Sequence, residues 1–112
     1  MATASPVPFS YEIEISGDTT TIKCHGRIVE DNAKELKDLV KPMIPKCRHI
    51  VVDFSDVPAV DSSGLGTMIG LKVSGVAADW CSLEFTNFAP RVEHVLRATK
   101  LKEILGRWPQ RS

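Results

Sequence analysis

The order in which apolar periodicity changes along the chain leaves few folds open. Tyr11, Ile13 and Ile15 alternate with Glu12, Glu14 and Ser16, the two-residue period of a strand with one face in water. Gly17-Asp18 turns the chain, and Ile22 and Cys24 continue the alternation up to Gly26, so the two runs read as a hairpin. Ala33, Leu36, Leu39, Val40 and Met43 then fall at helical spacing, with Asn32 and Glu35 related as in a capping box. Pro42 and Pro45 lack the backbone donor that another helical turn needs, which predicts a break near Lys41. The β-branched run Ile50-Val51-Val52, extended by Phe54, has the pattern of a strand covered on both faces. Leu83-Glu84-Phe85 reads as one more strand. Pro90 opens a last helix with Val92, Val95 and Leu96 as its buried stripe, and Ile104-Leu105 closes the core. Strand, strand, helix, strand, helix, strand, helix is the order of an α/β domain whose later strands are made parallel by right-handed crossovers.

The helix between the third and fourth strands is unusual. From Ser62 to Ala78 its only charged residue is Lys72, and Gly64, Gly66, Gly70 and Gly75 interrupt it. Glycine costs a helix about 1 kcal/mol relative to alanine, so these positions need a reason. At about 100° per residue, Leu65, Met68, Ile69 and Val76 gather on one side, and Ser63, Thr67, Gly70 and Ser74 gather roughly opposite. The bulky side suits the core. The small side either faces outward as a docking surface with almost no charge, or lets another element of the same domain lie close. Asp61-Ser62-Ser63 supplies capping side chains ahead of this helix, and Ser62 itself suits the N-cap.

The chain has 112 residues, which suits one core of ordinary size. Fourteen basic residues cancel fourteen acidic ones, so no summed field draws the protein to nucleic acid or to an anionic membrane. Cys24, Cys47 and Cys81 are odd in number and form no C-x-x-C pair, which encodes neither a disulfide framework nor a zinc site and points to reduced thiols in the core. Residues 1–8 have no basic start and no apolar run of signal-peptide length, so neither export nor membrane insertion is expected. They read as a flexible leader, residues 9–108 as the domain, and residues 109–112 as a tail. Gly64-Leu65-Gly66 lacks the third glycine of a dinucleotide fingerprint, and no phosphate loop is present. The serine nucleophile elbow needs a G-x-S-x-G string that is missing here, and His25, His49 and His94 are not placed by sequence to serve as a base. No catalytic residue and no cofactor follow. Trp80 and Trp108 lie outside the periodic stretches and are candidates for partner contact.

Val60-Asp61-Ser62-Ser63-Gly64-Leu65-Gly66, lying between a buried strand and a helix, resembles the signature of the STAS domain, named for sulphate transporters and anti-sigma factor antagonists. Residues 50–54 are similar to the strand that precedes it in that family, and Phe88-Ala89-Pro90-Arg91-Val92 is similar to a later N-x-x-P-x-V region, so the resemblance spans roughly residues 11–105. It implies a single-domain α/β fold with a mixed, mainly parallel sheet of four to five strands flanked by helices. It further implies an anti-sigma factor antagonist in which Ser62 accepts phosphate from a partner kinase that is itself the anti-sigma factor. The unphosphorylated form would capture that kinase, and a serine phosphatase is a further expected partner. Asp61, Ser63, Gly64, Gly66, Thr67, Gly70 and Ser74 would form the partner surface. The resemblance also admits a second role, as a cytoplasmic accessory subunit of a membrane lipid-transport complex. The expected location is the cytoplasm, and the oligomeric state is left open. Three positions depart from the family pattern. Val29 replaces an aspartate often found after the second strand, with Glu30 and Asp31 beside it. Ala78-Asp79 replaces a glycine pair, and Lys100 replaces the glycine that commonly precedes Leu101.

Overall fold

The computed structural model describes residues 9–102 and 105. Four strands, β1 (Ser10–Ser16), β2 (Thr19–His25), β3 (His49–Asp56) and β4 (Ser82–Thr86), lie side by side in that order. β1 is antiparallel to β2, and the other pairs are parallel. The helices are α1 (Asp31–Val40), prolonged by a 3₁₀ turn over Lys41–Met43, then α2 (Ser62–Ala78) and α3 (Pro90–Ala98). The chain is thus an α/β domain with a mixed, mostly parallel sheet flanked by helices, three of them among the described elements. Gly17 takes φ 59 in the two-residue loop of the β1–β2 hairpin, a conformation open to glycine without a Cβ penalty.

Strand register decides where the core lies. Ile22, Val52 and Phe85 are neighbours across β2, β3 and β4, and the side chains two residues either way continue the same face. That face is buried, and it forms one cluster with Ala33, Leu36 and Val40 of α1, Met68 and Leu71 of α2, Val92 and Leu96 of α3, and Leu105. Phe54 sits at its far end, with its ring edge-on to Phe85 at 5.5 Å and to Phe88 at 6.1 Å. The alternate face carries Thr21, Lys23 and Glu84, with Val51 half-buried among them. The expectation that β3 is covered on both faces therefore fails. Thr21 and Glu84 flank Val51, which is half-buried with no second layer over it among the described residues. β1 also departs from its pattern: Tyr11, Ile13 and Ile15 continue the core face in register, yet all of β1 is exposed, Ile15 by 74%.

Local chemistry explains the helix ends. α1 starts at Asp31 without a side-chain cap, and the Asn32 amide instead donates to the Arg27 carbonyl at 2.8 Å, so the expected capping box does not form. The helical path ends at the proline-containing 3₁₀ turn, as the missing donors require. α3 carries Pro90 in its first turn, where an absent N–H costs nothing. Ile104 and Trp108 lie outside the described residues. The thiols of Cys24 and Cys81 are buried and free; that of Cys24 is pushed up to about 12 by burial and by the charge of Asp53, which makes it a core group and not a nucleophile.

Two departures from the family pattern fall at left-handed backbone positions. Asp79, the C-cap of α2, has φ 64, and Lys100, just past α3, has φ 63. Glycine reaches this region freely, whereas an L-residue meets its own carbonyl there at a cost of about 1–2 kcal/mol. Lys100→Gly should therefore stabilise the domain by about 1 kcal/mol and raise Tm by a few degrees in a thermal melt. A lower Tm would show that the lysine side chain contributes more than the strain removes.

Candidate partner-binding site

Beyond the C-terminal ends of β2 and β3 the chain stays extended and paired. Gly26 N–H donates to the Asp56 carbonyl at 3.1 Å, Ile28 N–H to that of Ala59 at 3.1 Å, and Ile28 bridges to Val60. This pairing brings the starts of α1 and α2 together. Asp61 joins them: one carboxylate oxygen accepts from the Gly64 N–H at 2.9 Å, and the other from the Glu30 N–H at 3.3 Å. Glu30 is held at φ 46 and ψ −116, a conformation unusual for a side-chain-bearing residue.

The N-cap of α2 is thus Asp61, and Ser62 is the first helical residue. The capping role open to Ser62 falls to its neighbour because a carboxylate can satisfy donors from two helix starts at once, which one hydroxyl cannot. Ser62 is exposed, and its hydroxyl has no hydrogen-bond partner among the described residues.

α2 presents two kinds of small residue. Gly64 and Gly75 point inward. A Cβ on Gly64 would lie 2.4 Å from the Ile28 carbonyl oxygen, and one on Gly75 would lie 3.1 Å from Leu83 Cβ. Gly64 therefore packs within the domain, and the Asp61 carboxylate is likewise engaged inside it, unlike Ser63, Gly66, Thr67, Gly70 and Ser74. Gly66 and Gly70 have open space at the Cβ position. With Ser62, Ser63, Thr67 and Ser74 they line a groove of about 350 Å³ between α2 and α1, floored by Leu71 and walled by Lys37 and Lys41. The inward stripe is Gly64, Met68, Leu71, Lys72 and Gly75, while Leu65, Ile69 and Val76 are half-buried. Lys72, the helix's one charge, is buried and donates to the Leu83 carbonyl at 2.5 Å; burial pulls its pKa down, and the nearby Glu84 opposes this.

The open space at Gly70 has a direct test. Gly70→Ala should stabilise the domain by about 1 kcal/mol, because it improves helix propensity and meets nothing. Gly70→Arg should likewise keep the circular dichroism spectrum and Tm of the parent. Unfolding of the arginine variant would show that this face packs internally.

Other polar groups are engaged elsewhere. His25 lies between two carboxylates, with Nδ1 at 2.6 Å from Asp56 and Nε2 at 2.6 Å from Glu12. These hydrogen bonds, Asp56 first and then Glu12, raise its pKa and engage both ring nitrogens, so neither faces Ser62 as a base. Burial pushes the Asp53 carboxyl up, but hydrogen bonds from Ser55 and Asn87 more than offset it and hold it below the ordinary value, tying the ends of β3 and β4 together. Trp80 is half-exposed, with the Arg48 guanidinium 5.3 Å from its ring. It follows the far end of α2, whose 17 residues put it about 25 Å from Ser62. Among the described residues no cluster of His, Cys, Asp and Glu could hold a metal, and no helix is long and apolar enough to cross a membrane. Sequence reasoning missed Lys37 on α1 and Lys41 at the start of the 3₁₀ turn, whose four-residue spacing was the available signal.

A family model of the STAS domain matches residues 10–111, and the chain belongs to this family. No curated protein sequence matches it. Among solved structures it is similar to an anti-sigma factor antagonist from Mycobacterium paratuberculosis, with a TM-score of 0.76 and 15% identity over 86% of this chain and 81% of that one. It is similar to the anti-sigma factor antagonist SpoIIAA in its unphosphorylated form, with a TM-score of 0.69 and 20% identity over 83% of each chain. The phosphorylated form of the Bacillus cell fate determinant SpoIIAA gives a TM-score of 0.66 and 19% identity over 82% of this chain and 85% of that one. At these identities the likeness is one of fold.

Proposed function

We propose that this chain is an anti-sigma factor antagonist, a cytoplasmic binding switch set by phosphorylation of Ser62. The observation that carries the reading is Ser62 itself: an exposed, unbonded hydroxyl at the head of a groove whose α2 side carries no charge, with capping handled by Asp61. The unphosphorylated groove, lined by Gly66 and Gly70, receives the anti-sigma factor, which is also the kinase. A serine phosphatase restores the hydroxyl. Membership of the STAS family and the folds of the SpoIIAA structures support this role over that of an accessory subunit in a lipid-transport complex. Mass spectrometry of the protein isolated from its own host should find phosphate on Ser62. Phosphate confined to other residues would remove the mechanism, and copurification with an ATPase and a permease would favour the transport role.

A further inference from the structure

His25 ends β2 on the sheet face opposite the core, and its ring is held from both sides. Nδ1 stands 2.6 Å from the Asp56 carboxylate on β3, and Nε2 stands 2.6 Å from the Glu12 carboxylate on β1. The three side chains thus join the edge strand to β3 across the strand between them. Neither contact follows from plain strand pairing. Continued regularly from Lys23 opposite Asp53, the register would set His25 opposite Ser55, but one extra residue in β3 sets it opposite Asp56. Such an irregularity re-aims a side chain, and here it brings to His25 a carboxylate that unbroken alternation would turn to the core face. Glu12 likewise bypasses Lys23, its direct opposite, and reaches diagonally to His25.

We propose that Glu12, His25 and Asp56 form a proton-operated clasp that ties β1 to β3 and releases the N-terminal end of β1 when the imidazole loses its proton. Ionised carboxylates only accept, so a short contact at each ring nitrogen needs a proton on each, and only the imidazolium carries both. The neutral ring turns a lone pair toward one carboxylate, and that contact opens. The other charged groups on this face are Glu14 on β1 and Asp53 on β3, which favour the cation, and Lys23 on β2, which opposes it. The His25 side chain is 28% exposed, so its proton passes directly to water. In the released strand the imidazole keeps its ordinary pKa of about 6.5, whereas in the closed clasp Asp56 and then Glu12 raise it. The clasp is therefore closed at about pH 6.5 and is lost as the pH rises through the higher, folded value. The rungs set free are Ser10 opposite His25 and Tyr11 opposite Cys24.

An NMR titration of the imidazole protons in the full chain tests the geometry, and hydrogen exchange of β1 tests the release. The His25 midpoint should lie above about 6.5 in the parent and should fall by about half a pH unit or more in Glu12→Gln and in Asp56→Asn. Glu14→Gln removes a charge from the same face of β1 without removing a hydrogen bond to His25, and should move the midpoint less. Exchange of the β1 amides, corrected for its intrinsic pH dependence, should speed up about threefold between about pH 6 and about pH 8.5, the linkage of half a unit. His25→Gln should abolish that change. Circular dichroism checks the fold of each variant, and Glu12→Gln replaces His25→Gln in the exchange measurement if the latter does not fold. A midpoint that neither carboxylate substitution lowers would overturn the clasp, as would the same pH dependence of β1 exchange in parent and variant.

Discussion

Gly64→Ala should destabilise the domain by about 3 kcal/mol, a large part of the 5–15 kcal/mol available to a small domain, and lower Tm by roughly 10 °C. The added methyl would sit 2.4 Å from the Ile28 carbonyl oxygen and 3.2 Å from the Ile28 side chain. The oxygen is backbone and cannot swing aside alone, because it accepts from the Asp61 N–H at 3.4 Å within the paired segments that hold the two helix starts together. Relief therefore requires α2 to tilt or this pairing to open. Gly70→Ala, six residues along the same helix, makes the matching control, since it adds the same methyl into open space. Opposite signs in the two melts are expected. Equal effects would mean that helix propensity alone governs both sites and that the approach to Ile28 is unimportant.

Under the proposed function, Ser62→Asp should weaken capture of the proposed partner kinase about 100-fold, equivalent to about 2.7 kcal/mol, while Ser62→Ala should bind as tightly as the parent. Both changes fall on an exposed side chain that makes no hydrogen bond within the described structure, so neither disturbs the cap that Asp61 provides. A carboxylate near the positive end of the α2 dipole is tolerated by the fold, which should keep its Tm. The partner must instead desolvate a second negative charge beside Asp61 in a groove shaped for a hydroxyl. Isothermal titration with the isolated kinase measures the difference, and equal affinities for the two variants would exclude an electrostatic switch at this residue.

The element order was legible because strand and helix periods alternate cleanly, and because Gly17, Pro42 and Pro90 mark boundaries by what their backbones cannot do otherwise. The small residues facing the groove were legible from helical geometry alone. The inner face of α2 was less so: with apolar or small residues on nearly every side, its periodicity cannot rank one face above another. The structure turns Gly64, Met68 and Lys72 inward and leaves Val73 exposed. The place of Lys72 was not legible for a related reason, since a long side chain can bury its stem and still reach a carbonyl, here that of Leu83. The capping box at Asn32 failed because the helix starts earlier, with Glu30 at the N-cap, so Asn32 lies inside the first turn and its amide donates back to the Arg27 carbonyl. The junction at Asp61 depends on contacts about thirty residues apart in sequence, between Glu30 and Asp61, and local patterns do not carry such information.

β1 is held to the domain along one edge, through its ladder to β2, with all of its residues exposed. Its first rungs pair Ser10 with His25 and Tyr11 with Cys24, at the open end of the hairpin, where the Glu12 carboxylate also grips His25 at 2.6 Å. A pull on the N-terminal side of this hairpin loads those rungs one after another, as in a zipper. The parallel pairs β2–β3 and β3–β4 have no such open end, and a pull along them loads many rungs in shear. The domain therefore yields under tension in a set order. Once Phe9 is drawn out of the core, β1 peels before the parallel strands that seat the groove and Ser62, so a mechanical load on that side of the hairpin would leave the groove in shape.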